Sequence, residues 1–142
     1  MGMNLTGTIA FGVVVSSCET EHNKILEKFE YQIDDWWVCH KNKMTYEDYR
    51  DMATDDFEDW WELKKKTDPC PFMMDYAGVS DYTTNVLVLP ETVLSSYYDP
   101  VKFTPEWDLV EPPKHRRKEL VEILKLLNVE EEPSWIMFPC WM

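Results

Sequence analysis

The chain has 142 residues, a length at which one domain can bury a core without metal or disulfide staples. Apolar residues make up 44% and aromatics 14%, which excludes a disordered chain because that much apolar area offsets the folding entropy. A formal net charge of −13 sets the surface against bare DNA, RNA and anionic lipid, and draws basic proteins toward it.

The first residues lack a basic n-region, and "TGTIAFGVVV" holds two glycines, so no secretory signal is expected. "MGMNLT" fits the formal myristoylation pattern with Gly2 and Thr6, but no polybasic segment or second lipid site supports an anchor. No apolar run approaches a membrane span. Cys18, Cys39, Cys70 and Cys140 show no paired spacing, which points to reduced thiols and a cytoplasmic location.

In chain order, "GTIAFGVVVSS" over 7–17 is rich in β-branched residues and continuously apolar, the pattern of a central strand covered on both faces. "TEHNKILEKFEYQ" reads as a short helix capped by Thr20, with Ile25, Leu26 and Phe29 on one face. "IDDWWVCH" reads as extended, although its Trp36–Trp37 pair also suits a helix end.

Residues 45–66, "TYEDYRDMATDDFEDWWELKKK", read as one two-sided helix. Thr45 suits the N-cap with Asp48 at the capping-box position, and Lys64, Lys65 and Lys66 close the C-terminus in agreement with the helix dipole. Tyr46, Tyr49, Ala53, Phe57, Trp60 and Trp61 fall on one side, toward a core. Asp48, Asp51, Asp55, Glu58, Asp59 and Glu62 fall on the other.

"TDPCPFMMDYAGVSDY" reads as a long loop, "TTNVLVLP" as a second strand, and "ETVLSSYYDP" as a short helix or an edge strand. "VKFTPEWDLVEPP" is a proline-bounded connector that tucks Phe103 and Trp107 inward. "KHRRKELVEILKLLNV" is a second helix with a Leu120, Ile123, Leu124, Leu127 stripe, begun after Pro112–Pro113 and ended at Asn128. "PSWIMFPCWM" is an aromatic strand stopped or bulged at Pro139. The expected class is α+β: one domain over 1–142, with a small mixed or antiparallel sheet of about three to five strands and two or three helices.

Chemical signatures are sparse. Cys18, His22, Cys39 and His40 share one third of the chain but lack the tight paired spacing of zinc sites, so no metal is assigned. No nucleophile elbow or thiol-protease signature occurs, and four glycines leave no phosphate-cradling loop. Neither enzymatic activity nor a cofactor is expected. The basic cluster His115, Arg116, Arg117 and Lys118 at a helix start opposes the helix dipole, which admits either a solvated helix start or a small-anion site.

The acidic side of 45–66 is the strongest pointer. Like charges at i,i+4 destabilise a helix by a few tenths of a kcal/mol each, and an ordinary solvated face would intersperse lysines. Carboxylates spaced by about 5 Å along a helix row present charge somewhat as phosphates do, at a rise of about 3.4 Å per nucleotide. Such a face fits the basic channel of a nucleic-acid-binding protein.

The succession of "TGTIAFGVVV", an acidic aromatic middle, "TTNVLVLPETVLSSYY" and the closing "PSWIMFPCWM" resembles small uncharacterised accessory proteins of bacteriophages. The resemblance covers most of the chain as pattern, without a diagnostic motif, and transfers no functional residue. It implies an accessory product acting in the host cytoplasm, a class that includes anti-CRISPR and anti-restriction inhibitors. The expected function is therefore inhibition of a host nucleic-acid-binding or defence enzyme by Asp48, Asp51, Asp55, Glu58, Asp59 and Glu62 acting as phosphate surrogates. The alternatives are an interaction or scaffold protein, homodimeric or not, using exposed aromatics, and an anion-binding protein using the 114–118 cluster.

Overall fold

The computed structural model describes residues 5–17, 23–77, 84–96 and 111–141, with strand ends at 5–6, 16–17, 76–77, 96 and 139–141 described by backbone alone. Thr20, Cys18, His22, Phe103 and Trp107, to which the sequence assigned roles, lie outside these residues. The protein is α+β, and its chain forms two compact units: Met1–Asn23 with Phe72–Met142, and Lys24–Pro71 between them in sequence.

The first unit is built on β1 (Leu5–Ser17), the apolar run near the N-terminus. On one side β1 pairs antiparallel with β5 (Ser134–Trp141), from Leu5 opposite Trp141 to Gly12 opposite Ser134. On its other side it meets β3 (Thr84–Val88) and then β4 (Leu94–Ser96), both antiparallel. β2 (Met73–Ala77) pairs antiparallel with β3 and also approaches β5, so the five strands form a curled sheet. β1 is thus central, as its unbroken apolarity implied.

β2 lies where the sequence pattern predicts a loop. Pro69 and Pro71 disguise it, but pairing begins only beyond them, at Met73. "ETVLSS" satisfies both of its readings in succession: a 3₁₀ turn at Pro90–Thr92, then β4. Pairing continues through Pro139, opposite Gly7; among the described residues β5 has no hydrogen-bonded strand on its outer side, where a missing N–H is tolerated.

Ala10, Val86, Val88 and Phe138 form a buried cluster, with Met73, Val93 and Ile136 packed against it. Gly12 admits the neighbouring strand: a Cβ there would lie 2.1 Å from the Leu87 carbonyl oxygen and 2.7 Å from Val88 Cα. Phe11, Val13 and Leu87 are also buried.

The last helix of this unit, α5 (Lys114–Leu126), buries Leu120, Ile123 and Leu124, together with Leu127 just beyond it. Each buried leucine contributes about 1.5–3 kcal/mol of transfer free energy. Asn128 stops the helix at φ 56°, where the Asn128 N–H bonds Lys125 O at 3.2 Å and the Val129 N–H bonds Leu124 O at 2.9 Å. These two bonds make a Schellman termination.

That second unit contains α1 (Lys24–Lys28), α2 (Ile33–Lys41), α3 (Tyr46–Asp55) and α4 (Phe57–Lys66). Two sequence expectations fail in it. "IDDWWVCH" is helical: Ile33, Trp36 and Trp37 are all buried at i, i+3 and i+4, an arrangement a strand would defeat by sending the two tryptophans to opposite faces. The long helix over 45–66 is two helices, parted at Asp56 with φ −131° and ψ 58°.

Candidate functional site

The parting at Asp56 relieves part of the like-charge repulsion. In one continuous helix, Asp51, Asp55 and Asp59 would stand in an i,i+4 row of like charges, and Asp is a poor helix-interior residue. Two helices instead place Glu47 and Asp48 in the first turn of α3, and Glu58 and Asp59 in the first turn of α4. Each pair then meets the positive end of a helix dipole, and α4 retains Lys64, Lys65 and Lys66 at its negative end. Thr45 caps α3 as expected, its hydroxyl accepting from the Asp48 N–H at 3.1 Å.

A polar network joins three helices of the unit. The Tyr49 hydroxyl donates to Asp35 Oδ1 at 2.5 Å, and Lys64 Nζ lies 3.8 Å from the same oxygen. Burial, then the Asp35 carboxylate, push the Tyr49 hydroxyl far above the ordinary phenol range, with the Trp60 N–H opposing that shift. Trp37 Nε1 donates to Asp68 O at 2.9 Å, and Asn42 Nδ2 to Thr67 Oγ1 at 2.9 Å, which ties the end of α4 back to α2. α3 and α4 are therefore held on the other helices by their inner sides.

The six carboxylates Asp48, Asp51, Asp55, Glu58, Asp59 and Glu62 are all exposed. Of these six, Glu62 alone has an ion pair among the described residues, an exposed one with Lys65 at 3.8 Å. The aromatic side differs from expectation. Tyr49 is buried, and Tyr46, Ala53 and Trp60 are half-buried, but Phe57 is 59% and Trp61 46% exposed. The break at Asp56 resets the phase of α4, so positions that would continue the inner stripe of α3 turn outward. The Phe57 and Trp61 rings lie 6.4 Å apart and within 13° of parallel. Lys65 Nζ sits 5.6 Å from the Trp61 ring centre, and Lys64 Nζ 4.5 Å from that of Trp60.

The basic cluster meets carboxylates. Arg116 forms a fork on Glu91, Nε to Oε1 at 2.6 Å and Nη2 to Oε2 at 3.1 Å, with Glu119 at 3.3 Å and the Phe72 ring beneath at 5.5 Å. Arg117 lies 3.5 Å from Glu111, while His115 and Lys118 are exposed. An anion at this helix start would compete with three carboxylates. Glu91 was not singled out from sequence; its only signal is the turn-forming "PET". Beside Arg117, a groove of about 830 Å³ is lined by Phe11, Val121, Leu124 and Glu130–Glu132.

Cys39 is buried and pushed up to about 11, first by desolvation and then by Asp35, so it is a packing thiol that resists ionisation. His40 stacks on Trp36 at 5.0 Å. Among the described residues no helix is long and apolar enough to cross a membrane, and no three His, Cys, Asp or Glu side chains converge as metal ligands do. No protein-family model, curated protein or solved structure matches the chain.

Proposed function

We propose that this protein is a non-enzymatic inhibitor that lays the α3–α4 face on the basic surface of a host nucleic-acid-binding or defence enzyme. The observation that carries this reading is the carboxylate set: six exposed acids on two consecutive helices, five of them without an ion pair among the described residues. Within α4, Glu58 and Glu62 rise about 6 Å along the axis, a spacing at which carboxylates can meet basic groups arranged for phosphates. The net charge of −13 favours the approach of such a surface, and the bacteriophage resemblance supports a defence enzyme as the target.

The test is capture from host lysate. The immobilised protein is expected to retain nucleic-acid-binding proteins at about 50 mM salt and release them by about 200 mM, because exposed charges are screened within a Debye length. The variant carrying Asp51→Lys, Asp55→Lys, Glu58→Lys and Glu62→Lys is expected to retain none. Retention and inhibition that survive this reversal would sink the reading.

A second reading is favoured by the exposure of Phe57 and Trp61: an interaction or scaffold protein, dimeric or not, in which aromatics supply the contact and charge serves solubility. It expects partner binding that resists both salt and the four lysines but fails in Phe57→Ala and Trp61→Ala.

A further inference from the structure

We infer that the outer row of α4 is a docking strip for an arginine-bearing basic segment of a protein partner, with Trp61 as the ring that receives the guanidinium and Lys65 as the internal cation it displaces. The inference rests on the reading of the α3–α4 face as a protein-binding surface and adds which residues form its centre and what chemistry they take.

Phe57, Trp61 and Lys65 follow one another at i, i+4 and i+8 and so form a single row on α4. Two large aromatic rings at its head are exposed, where burial would have been worth several kcal/mol to the fold. Glu58 and Glu62, both exposed, form the adjacent row. An apolar, π-rich strip bordered by carboxylates is complementary to one chemistry above others: a planar, weakly hydrated cation that can lie on a ring while its N–H groups reach carboxylate oxygens. That chemistry is arginine.

One of the protein's own lysines already occupies the Trp61 ring face. Lys65 Nζ lies 5.6 Å from the Trp61 ring and 3.8 Å from Glu62 Oε1, so ring and carboxylate are filled by one internal cation. Lys65 and Glu62 are each 58% exposed, which leaves the ammonium free to be exchanged. An incoming guanidinium would take both contacts and release Lys65 to water. Lys65 therefore keeps the strip capped in the free protein.

The experiment uses the full chain and a hexa-arginine peptide, with hexalysine and hexaglutamate as controls. Affinity is followed by tryptophan fluorescence and, residue by residue, by the Trp61 indole N–H resonance. Trp61→Ala is expected to weaken hexa-arginine binding about two- to fivefold, the worth of one exposed cation–π contact, and hexalysine binding less. Lys65→Ala is expected to strengthen it by a similar factor.

Lys66→Ala removes the same charge from an exposed lysine four residues beyond Glu62, so it isolates the ring contact from net charge. Equal gains from Lys65→Ala and Lys66→Ala would overturn the inference, as would binding indifferent to Trp61. If Trp61→Ala binds normally while the four-lysine variant does not, the strip is wrong and the acidic-face reading stands. If neither change weakens binding, both fall. A concentration-dependent dimer abolished by Trp61→Ala, without peptide binding, would overturn the inference in favour of a second copy of this chain.

Discussion

At Pro90–Thr92 the strand running beside β1 lapses, and the Phe11 N–H loses the backbone partner a continuous strand would supply. The Thr92 hydroxyl accepts that N–H at 2.9 Å and donates in turn to Leu89 O at 2.7 Å, while the Leu89 N–H bonds Phe11 O at 3.0 Å. One side chain thus closes a gap in the ladder. Thr92→Val keeps the shape and removes the hydroxyl, leaving a buried N–H unpaired at a cost of about 1–3 kcal/mol. Thr92→Ser is expected to keep most of that stability, and urea midpoints at unchanged slope measure both. "LPETVL" announces a turn through its proline, but the role of the threonine depends on a hydrogen bond to a residue 81 positions away. Local sequence carries no record of that bond.

The division of the acidic segment has a consequence for its backbone. In a continuous helix the N–H groups of Phe57, Glu58 and Asp59 would bond to carbonyls one turn earlier. As the first residues of α4 they have no such intrahelical partner, whereas the Trp60 N–H reaches Asp56 O at 3.0 Å. Amide exchange is expected to be fast at 57–59 and slowed from Trp60 onward; protection running evenly through 53–62 would show one unbroken helix. The sequence made the helical character of 46–66 plain, through Thr45, the spaced aromatics and the closing lysines. It concealed the break because Asp56 interrupts neither composition nor period. Only the energetic argument, that like charges at i,i+4 are better moved to a second N-terminus, singles it out. The same break is why Phe57 and Trp61 were assigned inward from sequence and stand outward.

For the molecule as a whole, carboxylates outnumber cationic side chains, 27 against 14, and acid acts on this excess in two directions. Protonation relieves general repulsion, while it removes specific pairs. Glu91 belongs to the second kind. The Arg116 fork holds its carboxyl below the ordinary range, against a smaller opposing effect of burial. A group with a depressed folded-state value stabilises the protein above its unfolded value of about 4.5, and that stability is lost as pH falls through the folded value. Glu91→Gln is expected to lower stability at neutral pH and to flatten its decline below about pH 4.5, read by urea titrations across pH. The architecture was legible where burial is uniform: the apolar 7–17 run gave the central strand, and the Leu120, Ile123, Leu124 and Leu127 stripe gave the last helix. It was hidden where flanking prolines mask a short strand, as before Met73, and where a tryptophan pair fits two periods.

The interruption between β3 and β4 also works as a parity switch. Gly12 faces Val88 and Ile9 faces Leu94, so two intervening residues of β1 are matched by five of its neighbour, an excess of three. Because the excess is odd, the alternation changes phase across it. Val86 and Val88 meet the cluster containing Ala10 in β3, whereas beyond the turn it is Val93 that packs against that cluster, and Ser95 Oγ that lies 3.2 Å from Thr8 Oγ1. A period of two read straight through 84–96 would assign the second half to the wrong face. Polar substitutions chosen on that basis would land beside Ala10 and Phe138.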